Sequence, residues 1–238
     1  MNKLFKLKPV LLSVSIIVAF SFPLLALGVR FDLWGFRLAL PLLAGAALTA
    51  AILLALAGVG LLAALRRQQK KTVLQGIAII LVLAVPVGMV FHHGLKASQL
   101  PVLYDISTSW DNPPPIAPRP EGANPLQTAE TNRELQKVAY PDVVPLALNQ
   151  PMAEVLARVE TVAQELGWEG ITVNTETGMM AATDTTFWFG FVDDIAVRVT
   201  ARAEGGTQVD IRSVSRVGKS DLGKNADRIR AFMTALRV

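Results

Sequence analysis

The sequence predicts a membrane α-helical anchor of three spans followed by an α+β extracytoplasmic domain. The first observation is hydropathy: 52% of the 238 residues are hydrophobic, and three uncharged apolar runs dominate residues 1–100. The second is a proline-rich stretch that follows these runs. The third is a change of periodicity after Pro151, where two helical patterns flank segments that alternate between apolar and polar residues.

The predicted anchor comprises residues 1–97, with spans at about 9–28, 38–65 and 73–91. A transmembrane helix needs about 17–25 mainly apolar residues, so each run is long enough to cross a hydrocarbon core. The first run follows basic residues and could be a secretory signal. Because no A-x-A cleavage site closes it and two further runs follow, we expect it to be retained as a helix.

Basic residues predict the orientation of the anchor. Residues 1–100 contain ten Lys or Arg and one acid, whereas residues 101–238 contain 13 Lys or Arg and 18 acids. The positive-inside rule places the more basic side in the cytoplasm, so we expect a multi-pass protein of the bacterial inner membrane. Its amino terminus would be cytoplasmic and its carboxy-terminal domain periplasmic. The cations that set this orientation are Lys3, Lys6, Lys8, Arg66, Arg67, Lys70 and Lys71.

Residues 98–150 predict an extended tether, because six prolines lie between Asp111 and Pro125. The tether would either hold the domain at a set distance from the bilayer or lie along its flank. Residues 151–238 predict a four-stranded antiparallel sheet with two helices on one face. The expected strands are at about 169–175, 178–188, 192–203 and 208–216.

Alternation along the last two strands also predicts their register. A loop at residues 205–207 would place Arg202 opposite Asp210 and keep the polar and apolar faces consistent. Asp193 and Asp194 are adjacent at the start of a strand, so their side chains should point to opposite faces. These two carboxylates therefore cannot form a catalytic pair by themselves.

The segment 212–230 contains the most suggestive candidate site. Three cations precede a predicted helix whose start is marked by a serine and an aspartate, and a helix amino terminus with nearby cations can bind an anion. A phosphate, a sulfate or a lipid headgroup would fit. The other interpretation is an ordinary N-cap, in which the aspartate already supplies the negative charge. The candidate residues are Arg212, Arg216, Lys219, Ser220 and Asp221.

Two weaker candidates remain. His92 and His93 could bind a metal or a pigment at the end of the third span, or could simply mark the membrane boundary. Neighbouring helical side chains point about 100° apart, which disfavours a shared metal. Four aromatic residues crowd one hairpin and either fill the core or form a contact surface for the tether, the membrane or a partner. They are Phe187, Trp188, Phe189 and Phe191.

Three strings resemble an uncharacterised membrane-anchored family, known as domain of unknown function fourteen ninety-nine. They are YDISTSWDNPP at 104–114, FVDDIAVRV at 191–199 and RSVSRVGKSDLGKNADRIR at 212–230. The resemblance extends to the three spans. It implies a membrane-tethered extracytoplasmic domain with no established activity and no known catalytic residues. Tyr104 stands where a histidine is usual in this family, which disfavours a metal there.

The chain has no cysteine, which excludes cysteine-based zinc sites and iron–sulfur clusters, and we expect no cofactor. Its basic excess lies beside the apolar runs, which argues against a nucleic-acid partner. The sequence favours a non-enzymatic accessory protein whose partners are the lipid bilayer and another membrane protein or complex. The alternatives are a binding module for an anionic or lipid ligand and an uncharacterised hydrolase, although no nucleophile and base occur together.

Overall fold

The computed structural model of the chain describes residues 3–237, with the backbone alone described for residues 3–9. The side chains of Lys3, Lys6 and Lys8, which contribute to the predicted orientation, therefore lie outside the described part. The chain divides into two compact units. The first holds the chain up to Lys96 together with Trp188–Gly190, and the second holds Ala97–Phe187 and the chain from Phe191 onward.

Three long helices confirm the predicted apolar spans. Helix α1 comprises Lys3–Arg30, α2 comprises Phe36–Arg66 and α3 comprises Lys70–Gln99. Each contains a stretch with a mean hydropathy of 2.5 and is long and apolar enough to cross a membrane. α3 continues past the predicted end of its span at residue 91 and ends at Gln99.

Small side chains on α2 let the three helices meet. Ala50, Leu53 and Ala57 form a buried cluster with Ile79 and Leu83 of α3. Small residues at a helix contact let the two backbones approach closely, which favours association in lipid. Apolar residues of α1 pack against the same cluster, so the first helix is part of the bundle. They are Leu11, Leu12, Val18 and Ala19.

The turn between α1 and α2 depends on Gly28. Trp34 Nε1 donates a hydrogen bond to the carbonyl oxygen of Leu25 at 3.0 Å, which brings the indole back over α1. A Cβ atom at position 28 would lie 2.0 Å from a ring carbon of Trp34. Only glycine leaves room for this contact, so Gly28 allows the loop 31–35 to fold back against α1.

The second unit contains an antiparallel sheet of six strands. They are β1 (Asp105–Ser107), β2 (Leu146–Leu148), β3 (Glu169–Asn174), β4 (Met179–Thr185), β5 (Val192–Ala201) and β6 (Thr207–Ser215). The strand order is β1, β6, β5, β4, β3, and β2 also pairs with β6. The strands from β3 to β6 confirm the four that the sequence predicts, within a few residues at each end.

The prediction of only four strands was wrong, because β1 and β2 come from the stretch predicted to be a tether. Each is three residues long, which is too short to show alternation in the sequence. β1 pairs with residues 212–214 and β2 with residues 207–209. The two short strands therefore lie one after the other along the same edge of β6.

The proline-rich stretch lies along the flank of the sheet, which is the second of the two predicted arrangements. The backbone N–H of Asn124 donates to the carbonyl oxygen of Arg216 at 2.7 Å. Arg198 Nη2 donates to the carbonyl oxygen of Asn112 at 2.6 Å. Helix α4 (Ala129–Ala139) follows this stretch and leads towards β2. Backbone groups at both ends of the prolines are thus bonded to β5 and to the end of β6.

Helices α5 (Met152–Glu165) and α6 (Lys224–Leu236) cover one face of the sheet, as predicted. Their apolar stripes and the inward residues of the strands form one buried cluster. Trp168 stacks on Phe232 within this cluster, with ring centroids 5.0 Å apart. The main members are Val159, Val162, Ile195, Val197, Ile211, Ile229 and Phe232.

The predicted register of the last hairpin was wrong by an even number of residues. Arg198, not Arg202, lies opposite Asp210, and Arg198 Nη2 is 3.2 Å from Asp210 Oδ2. The loop is longer than predicted and spans residues 202–206, closed by a bond from the N–H of Arg202 to the carbonyl of Gly206. An even slip keeps each side chain on its face, so the predicted faces of both strands hold.

Candidate functional site

Ionisable side chains concentrate where β5 begins, β6 ends and α6 starts. Asp193 and Asp194 open β5 and point to opposite faces of the sheet, as the alternation predicts. Asp193 binds Arg228 of α6 on the helix-covered face. Asp194 binds Arg119 and Arg216 on the other face. The two faces therefore carry two separate polar arrangements.

We call the arrangement on the helix-covered face the helix-side cluster. Arg228 is its centre, and its Nη2 atom lies 2.7 Å from both Asp193 Oδ2 and Asp184 Oδ2. Its Nη1 atom donates to Ser213 Oγ at 3.0 Å and to Asn225 Oδ1 at 2.6 Å. One guanidinium thus meets two carboxylates and two neutral oxygens, and all its nitrogens are engaged. The members are Asp184, Asp193, Ser213, Asn225 and Arg228.

Asp221 occupies the amino terminus of α6. Its Oδ1 atom accepts the N–H of Gly223 at 2.8 Å, and its Oδ2 atom accepts the N–H of Asn225 at 3.0 Å. Burial raises the pKa of this carboxyl, the two N–H bonds oppose that shift, and the nearby charge of Asp193 adds to it. The position that an external anion would take at this helix terminus is already filled by the chain's own carboxylate.

The opposite face carries four ion pairs formed by three carboxylates, which we call the outer-face pairs. Arg212 binds Asp105 with two bonds, Nε to Oδ1 at 2.9 Å and Nη2 to Oδ2 at 2.6 Å. Arg119 Nε and Arg216 Nη2 each lie 2.7 Å from an oxygen of Asp194. Two-point bonding of this kind fixes geometry as well as charge. The pairs are Asp105 with Arg212, Asp194 with Arg119 and Arg216, and Asp210 with Arg198.

The predicted anion site is therefore not assembled as one cationic cleft. Arg212 and Arg216 neutralise carboxylates of β1 and β5 instead of presenting their charge outward. Lys219 is exposed in the loop after β6. Ser220 Oγ accepts the N–H of Leu222 at 3.3 Å, which is a local turn contact. The five residues lie close along the chain, but Lys219 is exposed and the polar groups of the other four face different internal partners.

The family pattern described as Protein of unknown function (DUF1499) matches residues 105–236. The chain belongs to this family. The match covers more than half of the chain and runs from β1 through α6, so it includes the helix-side cluster and the outer-face pairs. The predicted resemblance is thereby confirmed. No curated protein matches the chain.

Two tyrosines of the DUF1499 domain and its flank have buried or half-buried rings. The hydroxyl of Tyr140 has no hydrogen-bond partner among the described residues, and burial with the charges of Asp221 and Asp227 raises its pKa to about 12. Tyr104 donates from its hydroxyl to the carbonyl of Pro125 at 3.1 Å. Burial and the charge of Asp105 raise its pKa. Both phenols are therefore neutral at physiological pH.

His92 and His93 lie exposed near the end of α3, with ring centroids 5.6 Å apart and ring planes at 73°. Within residues 3–237, no group of three His, Cys, Asp or Glu side chains is placed to hold a metal ion. A role of His92 or His93 as a metal or pigment ligand stays a prediction.

The predicted aromatic surface lies in the loop between β4 and β5, at residues 186–191. Phe187 is 69% exposed and Trp188 is 44% exposed. Phe189 and Phe191 are half-buried. Phe187 is therefore not a core residue, and the loop presents an apolar surface.

Sequence reasoning missed most partners of the DUF1499 ion pairs. Asp105 and Arg119 lie in the stretch predicted to be a tether, where no pattern ties them to β5 and β6. Only Asn225 and Arg228 show a pattern in the sequence that could have indicated a buried polar cluster. They lie on the same face of α6 as the buried Ala226, Ile229 and Phe232, and polar residues on an apolar face need buried partners.

Proposed function

We propose that this DUF1499 protein is a non-enzymatic accessory protein of the bacterial inner membrane. Its three apolar helices anchor it, and its α+β domain stands in the periplasm, where it is presented to another membrane protein or complex. The distribution of Lys and Arg along the first hundred residues supports this orientation.

The observation that carries the proposal is how the ionisable side chains of the domain are used. The carboxylates of Asp105, Asp193, Asp194 and Asp210 each bind an arginine, and Asp221 caps α6. A catalytic acid or base needs a group that can give a proton to a substrate or take one from it, and buried ion pairs of this kind do not offer such a group. They instead hold the strands and helices in one arrangement, which suits a domain that presents a fixed surface.

The test is the composition of the native complex. The chain is tagged at its carboxyl terminus, extracted from its own membranes in a mild detergent, separated by size in the native state and analysed by mass spectrometry. We expect a second membrane protein in fixed ratio to the chain. An Arg228→Met variant, in which the domain is destabilised and the anchor is unchanged, should lose that protein if the domain binds it.

A monomer without a second protein would contradict the accessory role. A monomer that carries a reproducible small mass would instead favour a binding module. A partner retained in full by the Arg228→Met variant, after the variant's domain is shown to be unfolded, would assign the contact to the anchor and contradict presentation by the domain.

A further inference from the structure

We propose that the loop 186–191 between β4 and β5 contacts the interfacial zone of the same bilayer that holds the anchor. This proposal goes beyond an accessory role, because it assigns the lipid surface itself as a partner of the domain. It rests on the exposed aromatic side chains of the loop, on where the loop lies in the sheet, and on how the chain reaches the domain.

The loop and the point where the chain enters the sheet lie at the same end of the strands. β5 begins at Val192, directly after the loop, and Asp193 pairs with Ser215 at the end of β6. Asp105, the first residue of β1, pairs with Val214 in the same antiparallel sheet. The N–H of Ser215 also donates to the carbonyl of Tyr104 at 2.8 Å. The start of β1 and the aromatic loop therefore lie at the same end of the sheet.

The connection between the last apolar helix and this end of the sheet is very short. α3 ends at Gln99, and Leu100 already packs against the core of the domain. Leu103 is buried at 1% exposure. An extended chain spans at most about 3.3–3.6 Å per residue, so four residues from Gln99 to Leu103 reach about 14 Å at most. The start of β1 therefore cannot lie far from the end of α3.

Chain topology puts a second aromatic loop on the same side of the membrane. Two spans, α2 and α3, separate the first loop at 31–35 from the domain, so both lie on one side in either orientation. The first loop exposes Phe31 and Leu33, at 66% and 69%. The β4–β5 loop would add Phe187 and Trp188 to that side, and aromatic side chains are enriched at membrane interfaces.

The bilayer is favoured over a protein partner for this surface because it is already attached to the chain. A short covalent link raises the effective concentration of the lipid surface at the loop, so even a weak apolar contact would be populated. Lys219 lies exposed in the loop that follows β6, at the same end of the sheet, and can face anionic headgroups. An apolar tip with a cation beside it is the composition of an interfacial contact.

The absence of native cysteine makes a direct test possible in the full chain. A Phe187→Cys variant is labelled with an environment-sensitive fluorophore and reconstituted in vesicles of phosphatidylcholine and phosphatidylglycerol. A second set of vesicles carries nitroxide quenchers on the lipid chains. Phe31→Cys is the positive control, and Glu204→Cys is the matched distal control. Glu204 lies beyond the other end of β5, whose ten residues span about 30 Å.

We expect the label at residue 187 to be quenched nearly as strongly as the label at 31 and several-fold more than the label at 204. Trp188→Cys should give the same pattern, which guards against a local effect of the first substitution. Equal quenching at 187 and 204 would overturn the proposal. A blue-shifted label at 187 without lipid quenching would also overturn it, because that result assigns the loop to a protein contact. Neither outcome depends on whether an accessory partner exists.

Discussion

Arg228 is the side chain on which the helix-side cluster depends. Its side chain is 6% exposed, and its main partner Asp193 is 4% exposed, so both charges have lost nearly all their water. A buried ion pair gains little over a well-packed apolar pair, but removing one partner leaves the other charge uncompensated. Asp193 would then be a buried carboxylate with no cation beside it.

The first prediction concerns this pair. Arg228→Met keeps much of the side-chain volume and removes the charge, and we expect it to lower the free energy of unfolding by about 3–5 kcal/mol. Arg133→Met is the matched control, because Arg133 pairs with Asp111 in an exposed bridge worth about 1 kcal/mol or less. Thermal and urea unfolding of the full chain in detergent measures the loss of stability in each variant. Equal losses in the two variants would contradict this account.

The second prediction concerns pH and Asp221. Because burial raises the folded-state pKa of this carboxyl above its ordinary 3.8, the folded protein holds the proton more tightly than the unfolded chain. The stability that Asp221 contributes is therefore fully present below pH 3.8 and is lost as the pH rises through the raised pKa. Asp221→Asn removes this titration.

The stability of the wild type relative to Asp221→Asn should thus fall as the pH rises from about 4 into the range of the raised pKa. The measurement is urea unfolding of both proteins across that range. A difference that stays constant with pH, or that grows as the pH rises, would show that folding does not raise the pKa of Asp221.

The sequence predicted the placement of some individual residues of the site. Strand alternation separated Asp193 from Asp194 onto opposite faces, because the period of two is local. The partners of Asp105 and Arg212 could not be found in this way, since more than one hundred positions separate them along the chain. Ion pairing across such a distance is set by the fold, and no spacing in the sequence encodes it.

Strand β2 shows how a short element is held in the sheet. It pairs with the start of β6 through Leu148 and Thr207, and Thr207 Oγ1 also donates to the carbonyl of Gln150 at 2.7 Å. Gly206 lies beside this junction with φ of 76°, and a Cβ atom there would lie 2.3 Å from the carbonyl oxygen of Leu148. The hairpin loop and β2 therefore fit only while position 206 has no side chain.

The third prediction uses the neighbouring glycine as a control. Gly205 also has a positive φ, of 96°, but a Cβ atom there would meet nothing within 4 Å. Both Gly206→Ala and Gly205→Ala incur backbone strain. We expect the former to cost about 1–3 kcal/mol more, because it also forces β2 away from β6. Hydrogen exchange at Leu148 and Thr207 should then rise in Gly206→Ala alone. Similar protection in both variants would contradict the steric account.

Element prediction succeeded where periodicity extended over many residues. The three apolar helices, α5, α6 and the strands β3 to β6 all show such patterns and were found, although α1 and α3 extend beyond their predicted bounds. β1 and β2 were missed because three residues carry no period, and the proline-rich composition around them favoured an extended tether. The hairpin register failed for a different reason, since parity fixes the face of a strand but not the length of the loop.

The whole chain combines an apolar three-helix unit with a DUF1499 domain that begins within a few residues of the last helix. Composition and charge were sufficient to predict this division. They were not sufficient to show that the proline-rich stretch lies along the sheet, because that arrangement depends on contacts of Asn112 and Asn124 with distant strands. The accessory role proposed above requires the domain to lie outside the cytoplasm.

The most direct measurement is therefore the accessibility of single cysteines in intact cells. A membrane-impermeant maleimide is applied to full-length Glu204→Cys, Phe31→Cys and Gln69→Cys variants of this cysteine-free chain, before and after the membrane is opened. The account predicts that residues 204 and 31 react in intact cells, and that residue 69, between α2 and α3, reacts only after opening. Labelling of residue 69 in intact cells with protection of residue 204 would contradict it.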